Sequence, residues 1–195
     1  MRVREPTPVE HLLAGVAREL REGRIPCMVI GGQAVLLHGV PRLTEDIDLT
    51  LAAGPERTRD VLDVCAKVGL TPLPTDVDRF VAETFVLPAR HALTGFRVDF
   101  IFSTMPYERS AIDRATAVTV AGEAVPFATA EDLIVHKLFA ARPRDIEDVQ
   151  GVVRRQGAAL DWDYIEHWAK SFSGIPGREA MPDLVANLRP GRRAR

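Results

Sequence analysis

Apolar and polar positions follow two different periods along the chain. Near the N-terminus, Leu12, Leu13, Val16 and Leu20 lie on one stripe, which predicts an amphipathic helix from about Val9 to Arg21. Ile25 to Ile30 is a short apolar run of the kind a buried strand shows, and it ends abruptly at Gly31-Gly32. Gln33 to His38 then reads as a short helix stopped by Gly39 and Pro41. From Thr44 to Leu51 the period becomes two, with Asp46, Asp48 and Thr50 on one face and Ile47, Leu49 and Leu51 on the other. A helix carrying Val61, Leu62, Cys65 and Val68 follows Pro55. Arg97 to Phe102 alternates again, Val98, Phe100 and Phe102 facing one way and Asp99 the other. A helix over Tyr107 to Ala115 precedes a pair of short strands between Ala117 and Phe127.

The rest of the pattern is helical. Thr129-x-x-Asp132 has the form of a capping box ahead of Leu133 to Ala141, and Arg142-Pro143 breaks that helix. A second helix is expected from near Asp145 to Gly157, a third over Asp161 to Lys170, and a last one near Pro182 to Leu188. Strands interleaved with helices, followed by helices alone, predict an α/β (α+β) sheet domain over residues 1–128 and a helical part over 129–195.

Composition narrows the function classes. Hydrophobic residues make up 46% of the 195, enough for a true core, and no stretch approaches the roughly 18 apolar residues that span a bilayer. The net charge of −2 gives no global field that would recruit nucleic acid, and the basic run from Arg189 to Arg195 reads as a solvated terminus. Cys27 and Cys65 lie in apolar surroundings without a CxxC partner, which argues against a disulfide scaffold or a zinc site. Without an apolar segment behind Met1-Arg2-Val3-Arg4, a cytoplasmic location is expected. His38 and His136 are not spaced for zinc, and Ser103, Ser110 and Ser171 sit in no nucleophile elbow. Trp162 and Trp168 are read as packing residues rather than a base-stacking platform.

Three features carry candidate chemistry. Gly31-Gly32, between a strand and a helix, allows backbone N–H groups to approach an anion, although many such pairs are only tight turns. Asp46 and Asp48, fourteen and sixteen residues past Gly32, project from one strand face roughly 6.6 Å apart. Two like charges on one face are mutually unfavourable unless a cation lies between them or solvent screens them, so both a metal pair and a solvated edge strand fit. Asp99 is a third aspartate on an apolar strand, where aspartate is depleted. If the two strands are neighbours, the three carboxylates form a cluster able to hold two hard cations about 3.5–4 Å apart.

The order Gly31-Gly32, Arg42-x-Thr44-x-Asp46-Ile47-Asp48 and then Asp99 resembles the DNA polymerase β-type nucleotidyltransferase superfamily. The later stretch, Thr129 to Lys137 and Arg142-Pro143-Arg144-Asp145 to Asp148-Val149, is similar to the AbiEii-type nucleotidyltransferases of abortive infection and toxin–antitoxin systems. The likeness runs from about Cys27 to Val152. Gly-Gly stands where the family often has Gly-Ser, so backbone amides replace a serine hydroxyl at the phosphates. The resemblance implies a nucleotidyltransferase fold and transfer of a nucleoside monophosphate from an NTP with release of pyrophosphate. It implies Mg²⁺, as two ions with Mn²⁺ able to substitute, held by Asp46, Asp48 and Asp99, the last as ligand or general base. Gly31, Gly32, Thr44 and Lys137 would hold the nucleotide, and Arg42 would neutralise charge in the transition state. An RNA acceptor such as tRNA and a cognate antitoxin partner are also implied. A small molecule of the aminoglycoside type, a protein acceptor, and a regulator that binds nucleotide without transfer remain open.

Lys137 lies within the apolar stripe of Leu133, Ile134, Leu138 and Ala141, so it either snorkels outward or faces an internal anion. Asp145 matches a functional aspartate of the family and is expected to hold Lys137 or Arg42. Asp148 reads as structural.

Overall fold

The computed structural model describes residues 4–41, 44–157 and 159–190. The chain divides into two compact units: one formed by the chain up to Gln33 and from 43 to Ala128, the other by 34–42 and the chain from Thr129 onward. The fold is α/β, with a mixed seven-stranded sheet and flanking helices.

The first unit holds the sheet. Its strands are β1 (Cys27–Ile30), β2 (Asp46–Leu51), β3 (Leu70–Pro72), β4 (Val86–His91), β5 (Arg97–Phe102), β6 (Thr116–Val120) and β7 (Glu123–Phe127). They lie in the order β3-β4-β5-β2-β1-β7-β6. β2 runs parallel to β5 and β1 parallel to β7, and the other pairs are antiparallel. The helices of this unit are α1 (Pro8–Glu22), α3 (Thr58–Lys67), α4 (Val77–Thr84) and α5 (Pro106–Arg114). α1 packs on β7 and α3, α3 on β3, α4 on β4 and α5 on β2.

Alternation explains which side of the sheet is dry. Ile47, Leu49, Leu51, Val98 and Phe100 are fully buried on one face, each contributing about 1.5–3 kcal/mol by leaving water. The opposite face of β2 closes gradually: Asp46 is exposed, Asp48 half-buried and Thr50 buried. α1 begins at a capping box in which Thr7 Oγ1 accepts from Glu10 N while Glu10 accepts from Thr7 N.

β3, α4 and β4 fill residues 70–91, a stretch without a clean apolar period. β4 reads Val-Leu-Pro-Ala-Arg-His and carries a proline at Pro88. The Pro88 carbonyl accepts from Leu73 N, so the missing proline donor faces the end of the three-residue edge strand β3.

The second unit contains α6 (Ala130–Ala140), α7 (Pro143–Gln156), α8 (Trp162–Phe172) and α9 (Met181–Leu188). The short helix α2 (Gly31–Leu37) begins in the first unit and ends in the second. Thr129 caps α6, its Oγ1 accepting from Asp132 N and donating to Asp132 Oδ2. Ala141, with φ of +53°, ends the helix in a left-handed cap, and Pro143 starts α7 two residues later. Trp162 is buried with Nε1 donating to the Gly157 carbonyl, and Trp168 stacks near Phe172, so both tryptophans pack within the helices. Arg189, at the start of the basic run, binds Glu166, whereas 191–195 lie outside the described residues. Cys27 and Cys65 are free and buried.

Candidate active site

The parallel pairing of β2 with β5 brings the strand aspartates together. Asp48 stands directly opposite Asp99, and Asp46 opposite Arg97. Residues in register on neighbouring strands share a face, so all four side chains leave one side of the sheet, with the two strands about 4.8 Å apart. β1 supplies the floor on the other side of β2: Ile30 pairs with Asp48, and the chain turns at Gly31 immediately after.

Both glycines of the pair are sterically required. Gly31 has φ of +62°, and a Cβ there would come within 1.9 Å of Asp48 Oδ2. A Cβ on Gly32 would meet Thr44 Oγ1 at 2.4 Å. Thr44 also donates to the Asp46 carbonyl at 3.2 Å, which fixes the entry to β2. The diglycine turn, Thr44, Asp48 and Asp99 therefore form one contiguous surface in the first unit. Arg42 lies outside the described residues.

Arg97 is the residue that sequence reading missed. Its Nε donates to Asp99 Oδ1 at 2.7 Å. The bond to Asp99 raises the Arg97 pKa above its ordinary value, burial opposes this, and the charges of Asp99, Asp46 and Asp48 add to the rise. The signal was its place two residues before Asp99, hence on the same strand face.

The donor set suits a hard divalent cation: carboxylates converge on one face, and a guanidinium already plays the part of counter-charge among them. Among the described residues, however, no three acidic, cysteine or histidine side chains gather as a formed metal-binding group. Asp99 is turned to Arg97 instead.

Lys137, Asp145 and Asp148 form a separate cluster in the second unit. Lys137 Nζ lies 2.9 Å from Asp145 Oδ1 and 2.7 Å from Asp148 Oδ2, and all three residues are buried. Arg142 Nε adds a bond to Asp145 Oδ2 at 2.6 Å. Burial pushes the Asp145 pKa up, but the Arg142 and Lys137 bonds outweigh it and the net shift is downward. Lys137 therefore does not snorkel; it faces two internal aspartates. α6 carries the lysine and the first two turns of α7 carry both acids, three residues apart on one face.

The profile of a family described as a nucleotidyltransferase of unknown function (DUF6036) matches residues 12–188. The chain belongs to this nucleotidyltransferase family. Solved structures of similar fold include the antibiotic-resistance factor ANT(2'')-Ia in solution, with TM-score 0.58 and 17% identity over 85% of this chain and 91% of that one. The same factor in complex with adenylyl-2''-tobramycin gives TM-score 0.51 and 20% identity over 94% and 98%. An antigenic nucleotidyltransferase-like protein from Paracoccidioides brasiliensis gives 0.53 and 15% over 90% and 92%. No curated protein sequence matches the chain. Among the described residues no helix is long and apolar enough to cross a membrane.

Proposed function

We propose that the chain transfers a nucleoside monophosphate from an NTP to an acceptor hydroxyl, with Asp46, Asp48 and Asp99 holding Mg²⁺. The observation that carries this reading is the in-register opposition of Asp48 and Asp99 beside the diglycine turn. Bound magnesium would supply Lewis-acid stabilisation of charge at the transferring phosphoryl group. Asp99 would act as a metal ligand or as the base that takes the proton of the acceptor hydroxyl. Gly31 and Gly32 carry no side chains of their own, and their backbone N–H groups would serve the phosphate oxygens. In the second unit Lys137 is bound to Asp145 and Asp148, and its part in holding phosphate is proposed from the resemblance alone. Arg42 and Thr44 complete the set that would grip the nucleotide.

The acceptor we favour is an RNA such as tRNA, in an AbiEii-like toxin role with a cognate antitoxin. The support is the likeness of the run from Lys137 through Arg142 and Asp145 to Asp148, in which Lys137, Asp145 and Asp148 form a buried cluster and exposed Arg142 bonds Asp145 from outside. A second reading, a small hydroxylated acceptor, draws support from the fold shared with ANT(2'')-Ia, which has been seen with adenylyl-2''-tobramycin. The test is incubation with each α-labelled NTP, Mg²⁺, and either total RNA or a panel of aminoglycosides, with Asp48→Ala as control. Label on RNA that vanishes in the variant supports the first reading; label on the small molecules alone supports the second. Labelled product at equal yield from Asp48→Ala would refute the catalytic assignment.

A further inference from the structure

Three carboxylates on one face repel one another, and in the metal-free protein something must offset that charge. Asp48 faces Asp99 across the strand pair and Asp46 lies two residues along on the same face. The cation nearest in register is Arg97, opposite Asp46 and bonded through Nε to Asp99. The other arginine of that row, Arg90, pairs in register with Arg97 on β4 but donates to the Gly95 carbonyl at 2.8 Å. Among the described residues Arg97 is thus a cation standing in register on the acidic face and bonded to one of its carboxylates.

We propose that Arg97 is a built-in competitor for the metal: a guanidinium that neutralises the aspartate face until nucleotide arrives, and that must leave Asp99 before a divalent ion is held there. This rests on the nucleotidyltransferase reading of the same site.

Three features make the exchange feasible. A guanidinium stays protonated at any working pH, so only another cation, and not deprotonation, can relieve it. The Arg97 side chain is 44% exposed, so it has room to swing away, whereas Asp99 is 16% exposed and stays behind. A triphosphate offers the displaced guanidinium an anionic, bidentate partner. Metal alone has to compete with Arg97, while metal arriving with NTP gives Arg97 another place to bind. The expected behaviour is positive coupling between the two ligands, a property of arginine two residues before the third aspartate of this chain. The arrangement also accounts for the lack of a formed three-residue metal group among the described residues, since Asp99 is turned to Arg97.

The test is Mn²⁺ binding to the full chain, followed by the electron paramagnetic resonance signal of free Mn²⁺, without nucleotide and with a non-hydrolysable NTP analogue. Wild type is compared with Arg97→Ala, Arg97→Gln and Asp48→Asn, each checked for native circular dichroism. In the nucleotide-free titration, Arg97→Ala and Arg97→Gln should tighten Mn²⁺ binding by about tenfold. The analogue should tighten Mn²⁺ binding in wild type by a clearly larger factor than in either arginine variant. Unchanged or weaker Mn²⁺ affinity in both arginine variants, with Asp48→Asn abolishing binding, would overturn the competitor role alone; a weakened affinity would mean Arg97 orients Asp99 for the metal. Failure of every form, wild type included, to bind Mn²⁺ with or without analogue would overturn the metal-dependent reading itself.

Discussion

Replacing Gly31 with alanine tests whether the diglycine turn exists to leave room for a catalytic carboxylate. Two costs arise. The first is conformational: φ of +62° is left-handed, where an L side chain costs roughly 1–2 kcal/mol. For a chain of this size that corresponds to a fall in Tm of about 2–8 °C. The second is positional: the new Cβ would stand 1.9 Å from Asp48 Oδ2, so the carboxylate must withdraw by about 1 Å or more to reach even 3.0 Å. A displacement of about 1 Å in a positioned catalytic group costs on the order of 100-fold in rate. Gly122 provides the control, because its φ of +87° carries the same kind of conformational cost while a Cβ there meets nothing within 4 Å. Thermal unfolding followed by circular dichroism should show similar losses for Gly31→Ala and Gly122→Ala. Nucleotidyl transfer from labelled NTP should fall about 100-fold in the first and stay near wild type in the second. Transfer by Gly31→Ala within about threefold of wild type would refute the claim that this turn serves Asp48.

Other consequences can be measured separately. Lys137→Met leaves Asp145 and Asp148 buried without their shared ammonium, and urea unfolding should show a loss of about 3–5 kcal/mol; a loss below about 1 kcal/mol would contradict the buried pairing. Tyr164→Phe removes the hydroxyl that donates to the fully buried Asp132 at 2.6 Å, and about 1–3 kcal/mol should be lost in the same assay. Burial lowers the His136 pKa to about 4 from 6.5, so folding favours the neutral ring. Its contribution to stability is complete above pH 6.5 and is lost as pH falls toward 4, and His136→Gln should flatten the stability profile across that window relative to wild type. Burial pushes both thiols up to about 12, so Cys27 and Cys65 should resist a thiol-disulfide reagent until the chain unfolds.

The chemistry-bearing strands were legible because their apolar residues obey period two without interruption. Ile47, Leu49 and Leu51 on β2 and Val98, Phe100 and Phe102 on β5 fix which face turns inward, and the aspartates follow onto the other. The α6 start was legible from Thr129, whose cap depends on neighbours only three residues away. What failed to show was whatever depends on distant partners. β4 is held between β3 and β5 despite Pro88 and Arg90, a tertiary placement that overrides weak local preference, so the stretch from 70 to 91 gave no pattern. Spacing alone could not reveal that β2 and β5 are adjacent and parallel, nor that Arg97 turns back onto Asp99. The partners of Lys137 were half visible: Asp145 was expected, but Asp148 shares the ammonium too, because a three-residue step on α7 puts both acids on one face.

The strand order also dictates when the pocket comes into being during synthesis. β1 carries the turn into Gly31, yet its two neighbours are β2 and β7, and its bridge to the latter joins Val29 to Phe127. Asp48 meets Asp99 only once β5 has emerged, after α3, β3, α4 and β4. Such distant pairings are slow to close, so a ribosome-bound fragment ending before β5 has exposed apolar strands and no assembled acidic face. Any catalytic power tied to that face is therefore withheld from the growing chain until more than half of it has been made.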